Sequence, residues 1–120
     1  VQKLAAADPA TRFEAVDELL RSKNAAVLVH LLPMAKDGDA FVRRLTVEGL
    51  AEFRRPEVVE ALLVAMADSD EWVRDTAWRS LKDVSGQKLA FDSSASKDSR
   101  ARALQKWQDW WEKSKATFGS

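Results

Sequence analysis

Apolar residues return along this chain at the helical period, in blocks that resemble one another. One set of blocks places Ala15, Val16 and Leu19, then Val47, Leu50 and Phe53, then Ala77, Leu81 and Val84 on common stripes. Between these lie a second set: Val27, Leu28, Leu31, Leu32 and Ala35, then Val58, Val59, Leu62, Leu63 and Met66. Spacings of i, i+3, i+4 and i+7 put such residues on one face of a helix. No window alternates with the two-residue period of a strand. The pattern predicts an all-α fold of helical hairpins. Asp8, Asp39 and Asp70 precede the first set of helices, where a side-chain oxygen caps the free amides, and Pro9 suits a first helical turn.

The blocks repeat every 31 residues: Asp8, Asp39 and Asp70 coincide, as do Arg12, Arg43 and Arg74, and Leu19, Leu50 and Leu81. The second helices keep the same step, with "AAVLVHLLPMAKDGD" (25–39) lying over "PEVVEALLVAMADSD" (56–70). The units are therefore read as 8–38, 39–69 and 70–120 of a single domain. Val1 falls under Leu32 and Leu63, and Leu4 under Ala35 and Met66. Residues 1–7 accordingly read as the end of a preceding repeat, and the chain as the C-terminal part of a longer solenoid. Its open flank is expected near Phe13 and Val16, giving a monomer or weak self-association through that end.

The motif in "DAFVRRLTVEGL" and "DEWVRDTAWRSL" resembles the HEAT repeat, in its bacterial HEAT-like, phycobilisome-lyase-type form. The resemblance covers about residues 1–84 and implies an α-solenoid. It also implies a ladder tying successive hairpins, formed by Arg12, Arg43 and Arg74 with Asp37, Asp39, Asp68 and Asp70 as acceptors. The first unit departs from the pattern: Ala6 stands where Asp37 and Asp68 stand, and Thr11 replaces Val42 and Val73. A weaker ladder is expected there.

After Val84 the pattern breaks. Gly86 suits a helix terminator, and 85–96 reads as a serine-rich loop anchored by Leu89 and Phe91. A final helix is expected over 97–116, capped by Ser96. Ala103, Leu104, Trp107, Trp110, Trp111 and Phe118 fall within a wedge of about 120° on it. Such a helix, with Leu104, Trp107, Trp110 and Trp111 inward, would replace the missing second helix of the third unit and seal the solenoid, as the terminal unit of a repeat array must. The sharper readings are an aromatic cage for a cation or sugar, which needs tryptophans converging with open faces, and membrane insertion, which wants a lysine-rich polar face where this one is mixed; the capping reading is preferred to both.

Composition narrows the function. Nineteen basic residues balance nineteen acidic ones, so nucleic acid, which demands a positive surface, is an unlikely partner. The stretch from Lys97 to Lys115 has only a mild basic excess. Without cysteine there is no thiolate metal site, disulfide or cysteine nucleophile. His30 is the single histidine, Ser85-Gly86-Gln87 lacks the frame of a nucleophile elbow, and no glycine-rich phosphate loop occurs. Neither a catalytic site nor a cofactor is expected, and no targeting or transmembrane segment is visible in the sequence. The resemblance to HEAT repeats implies that the second helices line the concave side, where their solvent faces would carry Ala26, Val29, His30, Pro33 and Met34, then Glu57, Glu60, Ala61, Val64 and Ala65. Their apolar character marks a protein-contact strip, for which Val29, His30, Pro33, Glu57, Glu60, Ala61 and Val64 are the candidates. Pro33 should kink its helix. The chain thus reads as a non-catalytic scaffold module binding a protein partner. The alternatives are a nucleic-acid-binding module and a lyase-type HEAT protein handling a chromophore or cofactor.

Overall fold

The computed structural model describes residues 2–118 and contains only helices and connecting segments among them. Helix α1 spans Pro9–Ser22, α2 Leu28–Leu31, α3 Ala40–Gly49, α4 Pro56–Ala65, α5 Glu71–Ser85 and α6 Lys97–Ser114. Asp8, Asp39 and Asp70 accept hydrogen bonds from Ala10, Val42 and Val73 amides, so each first helix starts on an aspartate cap. Ser96 caps α6 through the Ser99 amide. Helix α1 ends on Lys23 and α5 on Gly86, both left-handed, with φ of 52° and 72°.

The first helices α1, α3 and α5 pack side by side in one layer, and the second helices lie beneath them in another. The slab measures 37 × 35 × 16 Å. Between the layers Val16, Leu31, Val42, Val47, Leu50, Val58, Val59, Leu62, Val73 and Leu81 are completely enclosed. Leu19, Val27 and Leu32 are half-buried at the margins of this core. Helices α1 and α3 approach closely enough that a Cβ on Gly49 would collide with the Leu20 side chain.

The second helix of the first unit is broken rather than kinked. Only Leu28–Leu31 is α-helical, with 3-10 turns at Ala25–Val27 and Leu32–Lys36. Pro33 supplies no amide and its ring crowds the carbonyl one turn back, so the chain tightens there into 3-10 geometry. Residues Gln2–Ala5 form a further 3-10 turn against α1, while the register argument on Val1 lies outside the described residues, as do Gly119 and Ser120.

Beyond α5 the chain reverses as an extended strap over 86–95. The strap runs back along α5: Trp78 Nε1 donates to the Leu89 carbonyl at 2.9 Å, and Arg74 reaches Ser93 further on. Phe91 is buried beneath it. Helix α6 then starts at the edge where α5 starts and packs on α4, with Trp111 against Glu60 and Phe118 against Arg54. It therefore runs antiparallel to α4. Leu32–Lys36, by contrast, follows the direction of α4, because Arg43 touches both the loop after Lys36 and the loop after α4. Helix α6 lies in the second layer but points the way a first helix does.

Candidate functional site

The repeated arginines stand one turn into each first helix, so their guanidinium groups fold back toward the loops at the helix starts. Arg12 grips Asp37 with Nε and Nη2 at 2.9 and 3.1 Å, and Arg43 grips Asp68 at the same two distances. Their remaining nitrogens bind backbone: Arg12 Nη1 meets the Ala6 and Ala7 carbonyls, and Arg43 Nη1 the Asp37 carbonyl. Each inter-repeat loop is thus held by its carboxylate from one side and by its carbonyl from the other. Bidentate, half-buried pairs of this kind are the strong class of charge-assisted hydrogen bond. Asp37 would be pushed up by burial, but bonds from Arg12 and the Asp39 amide, with the charges of Arg12 and Arg43, hold it below the ordinary carboxylate value. The bond to Asp37 raises Arg12 in turn.

Two details differ from expectation. Asp39 and Asp70 accept from the Val42 and Val73 amides and make no hydrogen bond to an arginine, because a side chain at the cap points along the helix axis into its own first turn. Arg12 also has a full bidentate partner, since Asp37 belongs to the next loop; Ala6 removes the carboxylate on the other side of α1. Among the described residues, Arg74 has no carboxylate partner. Its Nε and Nη2 both donate to the Ser93 carbonyl of the strap, at 3.2 and 2.7 Å, and Nη1 to the Asp68 and Ser69 carbonyls.

The second-helix face carries the predicted strip. Val29 is 69% exposed and Val64 56%, with Pro33, Glu57 and Glu60 exposed and His30 and Ala61 half-buried beside them. Met34 and Ala65 turn inward and are buried, because the 3-10 tightening after Leu31 shifts the first and the core stripe of α4 claims the second. A hollow of about 420 Å³ separates Leu32–Lys36 from α4, floored by Leu32, Ala35 and Ala61. Another, of about 640 Å³, separates α4 from α6 and is lined by Leu63, Val64, Leu104 and Trp111, with Glu60 and Glu112 at its rim. Val64 forms the ridge between the two. Glu60 accepts a long 3.4 Å hydrogen bond from Trp111 Nε1, which ties the strip to the tail.

In the tail, Trp107 is wholly enclosed and Trp111 nearly so, while Leu104 and Trp110 are half-buried. Trp110 stands edge-on to Trp107, with ring centres 5.9 Å apart, and Phe118 edge-on to Trp111. Trp107 Nε1 is buried, and no group among the described residues accepts a hydrogen bond from it. Val16, expected on an open apolar flank, is fully buried within its own hairpin. The outward flank of α1 carries Glu14 and Glu18, where α3 has Leu45 and Gly49.

A family model described as HEAT repeats matches residues 28–106, more than half of the chain, and the chain belongs to that family. No curated protein matches it. HEAT repeats commonly serve as protein-interaction scaffolds and are generally non-catalytic. No helix among the described residues is long and apolar enough to cross a membrane.

Proposed function

We propose that this chain is a non-catalytic docking module whose second-helix face holds a protein partner. The observation that carries the reading is the exposure of Val64 on the ridge between two hollows. Folding asks nothing of an outward position on α4, whose inward residues Val58, Val59, Leu62 and Leu63 already fill the core. A contiguous exposed apolar strip, unlike a single exposed valine, is the kind of surface that marks a contact site, and Val29, Pro33, Ala61 and Val64 share this face. Small residues along the ridge let a helix or an extended segment approach closely, and Glu57 and Glu60 favour a basic flank on it. The inward side of α6 seals the third hairpin by burying Trp107 and Trp111, and its outer edge widens the groove.

The test is Val64→Lys alone, at a position that is 56% exposed, because Ala61 packs against the core. Stability should shift by well under about 1 kcal/mol, as for ordinary surface changes, and capture of the native partner should fail. A variant that folds and captures the same partner as the parent removes the groove from consideration.

A further inference from the structure

The loop between the first two units holds a glycine that the fold does not need. Asp37–Gly38 is the single Asp–Gly pair in the sequence, and Asn–Gly does not occur. In the next loop Ser69 follows Asp68 at the matching place, with the same arginine grip on the carboxylate. Gly38 is exposed, its φ is not positive, and a Cβ built on it would meet nothing within 4 Å. No turn or close approach therefore asks for glycine here. What glycine changes is reactivity, because with no side chain its nitrogen swings readily onto the carboxyl group before it.

That reaction needs no co-reactant but water. The Gly38 nitrogen attacks Cγ of the protonated Asp37 side chain. A C–N bond forms, the C–OH bond breaks, and the amide proton leaves with the hydroxyl as water. Water then adds to the Asp37 main-chain carbonyl carbon of this succinimide and breaks its bond to nitrogen, the hydroxyl going to carbon and the proton to nitrogen. The chain now runs through Cβ and Cγ, an isoaspartate of unchanged mass.

The folded loop blocks this course. Arg12 holds the two carboxylate oxygens at 2.9 and 3.1 Å, and the Asp39 amide donates to the same group at 2.9 Å. The Asp37 side chain is only 10% exposed. Arg43 Nη1 fixes the Asp37 carbonyl at 2.9 Å. Asp37 is extended, with ψ at 152°, whereas the succinimide ring needs Cβ and the Gly38 nitrogen eclipsed about the Cα–C bond. Against the push of burial, the bonds from Arg12 and the Asp39 amide keep the side chain ionised, the form that has no hydroxyl to expel.

We propose that Asp37–Gly38 is a latent self-modification site, which rearranges to isoaspartate when the first inter-repeat loop opens and which Arg12 and Arg43 keep intact while it is closed. Isoaspartate adds an atom to the main chain and shortens the side chain, so the grip of Arg12 and the bond from the Asp39 amide cannot both re-form. Lys36, Asp37, Arg43 and Asp68 line the hollow beside Val64, so the change reaches the second-helix face. The site itself stands whether or not that face docks a partner.

The test follows isoaspartate at residue 37 during long incubation at mildly acidic pH, by peptide mapping and labelling with an isoaspartyl-specific methyltransferase. The chain unfolded in guanidinium chloride should convert readily, and the folded chain about tenfold more slowly or less. Gly38→Ser should slow the unfolded chain to the pace of Asp68–Ser69. Arg12→Lys, shown to be folded by circular dichroism, should recover most of the unfolded rate. Arg74→Lys makes the same change at the other end of the ladder and should stay near the parent. The proposal falls if folded and unfolded parent convert alike, a comparison that needs no variant to fold. It falls too if Gly38→Ser converts as fast as the unfolded parent, or if Arg12→Lys is no faster than Arg74→Lys, which would make the protection a matter of overall stability.

Discussion

Arg74 donates two hydrogen bonds to the carbonyl oxygen of Ser93, in the place where Arg12 and Arg43 each hold a carboxylate. The solenoid thus ends by exchanging an ion pair for a backbone acceptor on the strap. The same sequence device restarts beyond it. Arg100 lies one turn after the cap Ser96 and donates to the Ala95 carbonyl, just ahead of that cap, as Arg12 does to Ala7 and Arg74 to Ser69. Helix α6 therefore has the N-terminus of a first helix, which matches its direction.

Arg74→Lys removes the planar fork and leaves carbonyls of Asp68, Ser69 and Ser93 short of donors. A loss of about 2 kcal/mol is expected, with faster amide hydrogen exchange through 86–95. Unchanged exchange in the strap would show that Phe91 and Trp78 hold it alone.

Asp37 supplies the pH dependence. Its folded value lies below the ordinary one, so its contribution is complete above about pH 4, the unfolded aspartate value, and fades as pH falls through the folded value. Asp37→Asn should cost about 2 kcal/mol at neutral pH and flatten the acid limb of the stability curve below about pH 4. Parallel acid limbs for variant and parent would contradict this.

Trp107 separates packing from hydrogen bonding. Its ring fills the space under α6, but its N–H has no partner among the described residues. Trp107→Ala should cost about 3–5 kcal/mol. Trp107→Phe should cost clearly less, since it removes an unsatisfied donor along with some of the area. Denaturant titrations in which both variants match the parent would mean that α6 contributes little to the fold, and equal large losses would mean that Phe cannot replace the packing of the indole.

Lys23 holds a left-handed conformation at the end of α1 that glycine adopts freely. Lys23→Gly should stabilise the chain by about 1 kcal/mol, a rise in melting temperature of about 4 °C. A fall would place a favourable contact on the Lys23 side chain.

Most of this architecture is legible in the sequence because the repeat makes each helix restate the others. The cap, the arginine and the inward leucines or valines keep fixed offsets, so one unit checks the next. The strap was not legible in its course, because Leu89 and Phe91 give it no period and its path is set by carbonyl contacts to Trp78, Arg74 and α5. The reversed direction of α6 could have been found: Ser96 and Arg100 repeat the spacing of Asp70 and Arg74, shortened in step from the earlier units. Met34 was misplaced because a helical wheel assumes an unbroken helix, and Pro33 breaks this one. Phe41 and Trp72 share a column, but a helical wheel marks that column only as outward, and the hairpin pattern does not distinguish an exposed aromatic there from any polar residue.

Hydrogen exchange with and without the native partner decides which face holds it. The reading predicts slowed exchange in 28–36 and α4, centred on Val64, with the C-terminal turns of α1 and α3 unchanged. Protection absent from 28–36 and α4, in a complex that demonstrably forms, would contradict it.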